Sequence, residues 1–345
     1  MQSLTSVLSD LIMANAKISG IASYVPDDIL DNEMLSKMVD TNDEWITTRV
    51  GIKERRILKD TDKGSSFLGI KAVGKLLEET GTAKEDIDLL ICATSNPDYR
   101  FPSTASVIAH ELGLSNAYAY DIQAACAGFI VTMQAARAYI EAGLYKKVIV
   151  VCAEKMSSMT DYEDRATCPL FGDAAAAVLV EPTDENVGVI DGEFHVDGSG
   201  LQNLLMKAGG SVKPASHETV DARELYIYQE GRVVYKNAVR DMLTSSQSVM
   251  KRNNLEVEDV DWFVPHQANL RIIEAVGNRI QIPEEKTLVN IQHYGNTSAA
   301  SIPLCLDEYK NRLHKGDRIL MTAFGAGFTW GAMYLIWAID PKEEK

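Results

Sequence analysis

Glu85-Asp86-Ile87-Asp88-Leu89-Leu90-Ile91 returns further along the chain as Glu258-Asp259-Val260-Asp261-Trp262-Phe263-Val264, an offset of 173 residues from position 85 to position 258. In each copy a short acidic turn feeds an unbroken apolar run, the signature of a strand buried on both faces. A stretch of helical character precedes each, over residues 70–80 and 237–253. Downstream, residues 143–153 correspond to 314–323: a helix end, a glycine stop (Gly143, Gly316) and an apolar strand. A further strand closes each half, at 174–180 and 331–337, and helices are expected over 128–142 and 301–313. The alternation of strand and helix predicts an α/β protein of two similar halves rather than a solenoid.

The length agrees. A chain of 345 residues holds about two domains of roughly 150 residues. The expected division is an N-terminal extension over 1–16, a first half over 17–185 and a second over 186–345, with the boundary at Glu181-Pro182-Thr183-Asp184-Glu185-Asn186. Residues 192–232, rich in Gly, Ser, Pro and charge, read as a surface excursion over a site. A formal charge of −15 repels polyphosphate and argues against non-specific nucleic-acid binding, so a phosphate-bearing ligand must meet a local basic patch. The five cysteines are widely spaced and form no CxxC pair, which points away from a disulfide framework or zinc site and toward a reducing cytoplasm. The first residues make a poor signal peptide, Met13 is an alternative start, and no apolar stretch approaches the roughly 18 residues of a membrane span.

Among the cysteines Cys126 stands apart. It lies in Gln123-Ala-Ala-Cys126-Ala-Gly-Phe129, between a strand over 117–122 and the helix that begins near Gly128. A sulfur at a helix N-terminus meets free N–H groups and the positive end of the dipole, which favour thiolate and can hold an oxyanion. Such a cysteine is either an inert packing residue or a nucleophile. Cys92, Cys152, Cys168 and Cys305 lack this placement and read as core. His266, in Val264-Pro265-His266-Gln267-Ala268-Asn269, follows the repeated strand directly, where sites form in α/β sheets. It can donate a hydrogen bond, exchange a proton, or serve only as a cap. His293 and Asn296 share a turn-like segment running into a helix, and spacing alone leaves open which histidine partners Cys126. The glycine-rich Phe324-Gly325-Ala326-Gly327-Phe328 lacks dinucleotide-fingerprint spacing and reads as a tight turn that brings backbone close to a reacting centre. No GxxxxGK[ST], HExxH or GxSxG motif occurs, which removes the main support for nucleotide hydrolysis, zincin or serine-hydrolase chemistry.

Cys126 in Ala-Ala-Cys-Ala-Gly-Phe, His266 in Pro-His-Gln-Ala-Asn and Asn296 in Gly-Asn-Thr-Ser-Ala-Ala-Ser occur in the order and spacing of one family, and with the glycine-rich close they resemble β-ketoacyl-acyl-carrier-protein synthase III over residues 17–338. The resemblance implies a thiolase-like αβαβα fold of five layers and two pseudo-equivalent halves, in a homodimer. It implies that Cys126 is the acylated nucleophile and that His266 and Asn296 polarise the malonyl thioester, and it assigns His293 no catalytic part. It places Trp45, Arg49 and Arg165 against coenzyme A, Phe101 at the acyl pocket across the dimer, Phe324 beside the cysteine, and Lys236 and Arg271 against the acidic carrier protein. The backbone N–H groups of Cys126 and Ala326 would form the oxyanion hole, although many relatives carry Gly where Ala326 stands.

The reaction implied is a ping-pong decarboxylative Claisen condensation of an acyl-CoA, acetyl-CoA in the first instance, with malonyl carrier protein to start a fatty-acid chain, with no metal or redox cofactor. Three other readings compete with it. Two are condensing enzymes of the same fold, a secondary-metabolite ketosynthase or a 3-hydroxy-3-methylglutaryl-CoA synthase, the latter wanting a carboxylate that no motif here marks. The third is a non-catalytic scaffold binding acyl-CoA or carrier protein. The starter's length, set by the pocket around Phe101 and the 200–230 region, is left open.

Overall fold

The computed structural model describes residues 15–341. The chain runs through β1 (Asn15–Tyr24), β2 (Ile29–Asp31), α1 (Asn32–Ser36), α2 (Asp43–Val50), β3 (Glu54–Arg56), α3 (Ser65–Thr80), β4 (Leu89–Ala93), α4 (Thr104–Leu112), β5 (Tyr118–Ile122), α5 (Gly128–Glu141), β6 (Val148–Glu154) and β7 (Ala174–Thr183). It continues with β8 (Gly188–Val196), β9 (Leu204–Met206), α6 (His217–Asp221), β10 (Ile227–Gln229), α7 (Gly231–Arg252), β11 (Trp262–Pro265), α8 (Leu270–Ile280), α9 (Ile291–Tyr294), α10 (Ser301–Glu308), β12 (Arg318–Gly325) and β13 (Thr329–Ile336).

The repeat read from the sequence is a repeat of topology. One sheet has the order β1-β7-β6-β4-β5, the other β11-β12-β13-β8. In the first, β4 pairs parallel with β6, β6 antiparallel with β7, and β7 antiparallel with β1. In the second, β11, β12, β13 and β8 repeat that sequence of pairings. Every residue of β4 and of β6 is buried, as their continuous apolar runs require.

Three helical layers enclose the two sheets. Phe129, Ile130 and Met133 of α5 share one central core with Ile302, Leu304 and Leu306 of α10. Leu68 and Leu76 of α3 with Ile108 of α4 cover the outer face of the first sheet, and Val239 and Met242 of α7 with Ile272 and Val276 of α8 cover that of the second. This is the five-layer αβαβα arrangement expected. Among the described residues no helix is long and apolar enough to cross a membrane.

Three boundaries differ from expectation. Asn15 and Ala16, assigned to an extension over 1–16, belong to β1, where they pair with Thr183 and Pro182 of β7; residues 1–14 lie outside the described part. Residues 192–196, assigned to the excursion, complete β8, because antiparallel pairing with β13 holds a segment whose Asp, Gly and Glu hide its strand pattern. The helix expected over 301–313 ends at Glu308, where Tyr309 turns its hydroxyl to the Val289 carbonyl at 2.9 Å and a 3-10 turn follows at Lys310–Arg312.

Candidate active site

The strand ends of both halves converge on one place. After β5 the chain makes a 3-10 turn, Ala125–Ala127, that carries Cys126 to the start of α5. Ala125 adopts φ of 45°, an unusual conformation for a residue with a side chain, so the turn is held by its surroundings. Those surroundings come from the second half. A Cβ on Gly325 would lie 2.7 Å from the Cys126 backbone nitrogen, and one on Gly128 would lie 2.8 Å from the Ala299 Cβ. Gly325 is there because the Cys126 backbone passes too closely for a side chain, and Gly128 because the Ala299 and Ala93 methyl groups do. The turn after β12 thereby sets Ala326 beside Cys126. Ala326 is not left-handed, which is how it tolerates its methyl group.

His266 follows β11 and is 1% exposed; Asn296 lies in the loop before α10 and is 7% exposed. The Ser301 hydroxyl, at the start of α10, accepts the Gln267 N–H at 3.3 Å and lies 2.6 Å from His266 Nδ1. Having accepted one hydrogen bond, that hydroxyl has its own proton to give to Nδ1, which leaves Nε2–H as the donor on the ring's other side. Burial pulls the imidazole pKa down to about 3, so His266 is neutral at physiological pH. Asn296 accepts the Ser298 N–H through Oδ1 at 2.8 Å and turns its amide N–H toward the Cys126 sulfur. The site therefore holds two uncharged donors.

The expectation that Cys126 rests as a thiolate is corrected here. Burial pushes the thiol up to about 12, and hydrogen bonds from Ser298, its own backbone and Asn296 offset this only in part. Desolvation outweighs the helix N-terminus in the free protein. The sulfur of the free protein is therefore a neutral thiol.

Cys126, His266, Asn296, Phe324 and Ala326 line a single cavity of about 1190 Å³, with Trp45, Arg49 and Arg271 also on its wall. Arg165 lies over the Trp45 ring at 4.5 Å, and Arg49 at 5.5 Å, so an indole and two guanidinium groups cluster there. Phe324 packs against Phe328 at a centroid distance of 4.8 Å. Lys236 is exposed on α7 and outside the cavity wall; Arg271 lies 5.9 Å from the Tyr235 ring. Phe101 is not on the wall and is 86% exposed, near the exposed Tyr99. His293 is outside the cavity too, 3.8 Å from Glu54, so of the two histidines it is His266 that shares a cavity with Cys126. Cys92, Cys152, Cys168 and Cys305 are free and buried.

The excursion supplies wall that the sequence did not assign residue by residue: Leu204, Leu205 and Met206 of β9 and Ile227 of β10. It is tied to the glycine-rich turn by reciprocal backbone bonds between Asp197 and Phe328, at 2.8 and 2.6 Å. Sequence reading also missed Ser301, Ser298 and Glu154. The two serines stand within the motif around Asn296, two and five residues after it, whereas Glu154 ends an apolar strand with no local signal. Among the described residues no group of three His, Cys, Asp or Glu side chains is placed to hold a metal ion.

Comparison with known proteins agrees with this geometry. Residues 120–198 match the family described as 3-oxoacyl-[acyl-carrier-protein (ACP)] synthase III, and residues 250–337 its C-terminal part. The chain is 56% identical over 330 residues to beta-ketoacyl-[acyl-carrier-protein] synthase III 2 of Bacteroides thetaiotaomicron, covering 96% of this chain and 98% of that one. It is 56% identical over 326 residues to the beta-ketoacyl-[acyl-carrier-protein] synthase III of Porphyromonas gingivalis strain W83, covering 94% and 97%. The crystal structure of 3-oxoacyl-[acyl-carrier-protein] synthase III from Aquifex aeolicus superposes with a TM-score of 0.86 at 42% identity, covering 93% of this chain and all of that one. With its duplicated sheets and the cysteine, histidine and asparagine on one cavity, the chain belongs to the β-ketoacyl-[acyl-carrier-protein] synthase III family.

Proposed function

We propose that the protein is an acyltransferase that condenses an acyl-CoA with malonyl carrier protein, releasing carbon dioxide and starting a fatty-acid chain. The observation that carries this is the meeting of Cys126, His266 and Asn296 on one cavity whose wall also includes Trp45 and Arg49. In the first half-reaction the Cys126 sulfur attacks the acyl carbonyl and coenzyme A leaves. The N–H groups of Cys126 and Ala326 receive the oxyanion. In the second, loss of carbon dioxide from the malonyl group leaves an enolate, which adds to the acyl-cysteine. Nε2–H of His266 and Nδ2–H of Asn296 donate to the enolate oxygen. Because that charge exists only transiently, neutral preorganised donors stabilise the transition state more than the ground state.

Trp45 with Arg49 and Arg165 is the docking place for the adenine and phosphates, and exposed Lys236 and Arg271 form the positive patch for the acidic carrier. A homodimer is supported by the first sheet ending at β5, which has one unpaired edge, with Tyr99, Phe101 and Tyr118 exposed nearby. The five free cysteines fit a cytoplasmic location.

Incubation with acetyl-CoA followed by intact-mass measurement tests the reading. The expected result is one acetyl adduct, absent in Cys126→Ser, and a 3-oxoacyl carrier protein once malonyl carrier protein is added. A protein that binds acetyl-CoA and gains no adduct with any saturated acyl-CoA is a scaffold, and the proposal fails. Competition among acetyl, branched and longer acyl-CoAs identifies the starter.

A further inference from the structure

Glu154, the last residue of β6, is fully buried, and among the described residues no cation pairs with it. Its carboxylate accepts the Ser95 N–H at 3.1 and 3.0 Å on its two oxygens, the Ser95 hydroxyl at 3.1 Å and the Thr94 hydroxyl at 3.4 Å. Ser298 lies between this carboxylate and Cys126: its hydroxyl is within reach of both and can give its one proton to either. Ser298 Oγ is also 3.5 Å from Ser95 Oγ, and Ser95, Ser298 and Cys126 all line the cavity. Ser298 adopts φ of 51°, a second residue in the site held in a left-handed conformation, as its N–H bends back to Asn296. A buried carboxylate without a countercharge is costly, and a continuous hydroxyl path from it to a nucleophile is a proton path.

We infer that Glu154, reached through the Ser298 hydroxyl, takes up the Cys126 thiol proton during acylation and returns it when the condensation product leaves. The inference rests on the function proposed above. As the sulfur lone pair forms the S–C bond, the thiol proton passes to Ser298 Oγ and the Ser298 proton to Glu154. The bond from the acyl carbon to the coenzyme A sulfur breaks, and the departing thiolate takes a proton from solvent. In the second half-reaction the enolate displaces Cys126 as a thiolate, which is reprotonated by Glu154 along the same path. One proton is consumed overall, as the loss of carbon dioxide from a malonate half-ester requires.

The electrostatics favour Glu154 over His266 as acceptor. Burial raises the Glu154 carboxyl to about 7, whereas the same cause lowers His266 to about 3. The ionisable groups that sense Glu154 are the thiols of Cys92 on β4, Cys152 on its own strand and Cys126 on the turn before α5; β7 places Ala174 opposite it, and the 298–300 turn brings only Ser298 and the Ala299 N–H. Cys92 and Cys152 are held neutral by burial, which leaves Cys126 as the proton donor that substrate can reach.

Rapid-quench acetylation by acetyl-CoA, read by intact mass from pH 6 to 10, tests the relay. In the parent protein the acetylation rate should level off above an inflection close to neutrality. Glu154→Gln should acetylate about 100-fold more slowly at neutral pH, with the rate now climbing steadily to pH 10 and the KM for acetyl-CoA within about threefold of the parent. Ser298→Ala should show the same altered profile, and Glu154→Asp should regain part of the rate and the inflection. A Glu154→Gln profile that is unchanged, or scaled down without change of shape, overturns the relay while leaving the condensing function standing. A parent protein that forms no adduct overturns the function itself. If Glu154→Gln does not fold, Ser298→Ala decides by the same two criteria.

Discussion

The two halves share a scaffold and divide the chemistry. Each has a parallel strand pair and a central helix entered through a tight turn. In the first half the turn before α5 bears Cys126; in the second the turn before α10 bears Asn296 and Ser298. The end of β4 leads to Thr94 and Ser95, the end of β11 to His266 and Gln267. The end of β6 places a buried carboxylate, whereas the end of β12 places Phe324 and Gly325, an aromatic ring and a bare backbone. Duplication fixes where side chains project, and divergence places a cysteine at the turn of one half and a neutral histidine and an asparagine at the matching places of the other. Neither half holds a complete site.

Removing the second half's donors should break that division most severely. His266→Ala or Asn296→Ala should lower carrier-protein condensation by about 100- to 1000-fold while acetylation of Cys126 continues within a few fold, measured by product formation and intact mass in parallel. An equal loss in both steps would mean that the donors serve the nucleophile rather than the enolate. Next comes the contact between halves: Gly325→Val should slow acetylation more than tenfold and destabilise the fold by about 1–3 kcal/mol in denaturant titration, since its Cβ would fall 2.7 Å from the Cys126 nitrogen. A smaller effect tests the surface of the second half. Lys236→Glu, outside the cavity wall, should raise the KM for carrier protein about 5-fold and flatten its salt dependence, with the acetylation rate unaltered.

The smallest effect concerns the stability of the first half. Burial lifts Glu154 from its ordinary 4.5 to about 7, so between those values the folded chain keeps a proton that the unfolded chain has released. Stability present below about pH 4.5 is therefore lost as pH rises through about 7. Glu154→Gln abolishes this titration, and its Tm relative to the parent should rise by a few degrees between pH 5 and pH 8 in calorimetry. A constant difference across that range would show that Glu154 titrates normally.

Much of this was legible before any coordinates. Buried parallel strands are written as apolar runs, so the copies at 85–91 and 258–264 disclosed both sheets, and the glycine stops marked the helix ends. The motifs around Cys126, His266 and Asn296 carried the family and its chemistry. The strand over 188–196 was obscured because its pairing with β13 is a long-range contact, and the ends of β1 and α10 depend on neighbours distant in sequence.

What the order of residues determined alone is therefore the duplicated α/β scaffold and the kinds of group available to the site, since burial pattern and turn chemistry are local properties of a chain. Tertiary structure decided the protonation of Cys126 and the presence of Glu154 behind Ser298. Those depend on desolvation and on distances between segments from opposite halves, and neither quantity is encoded within any short stretch.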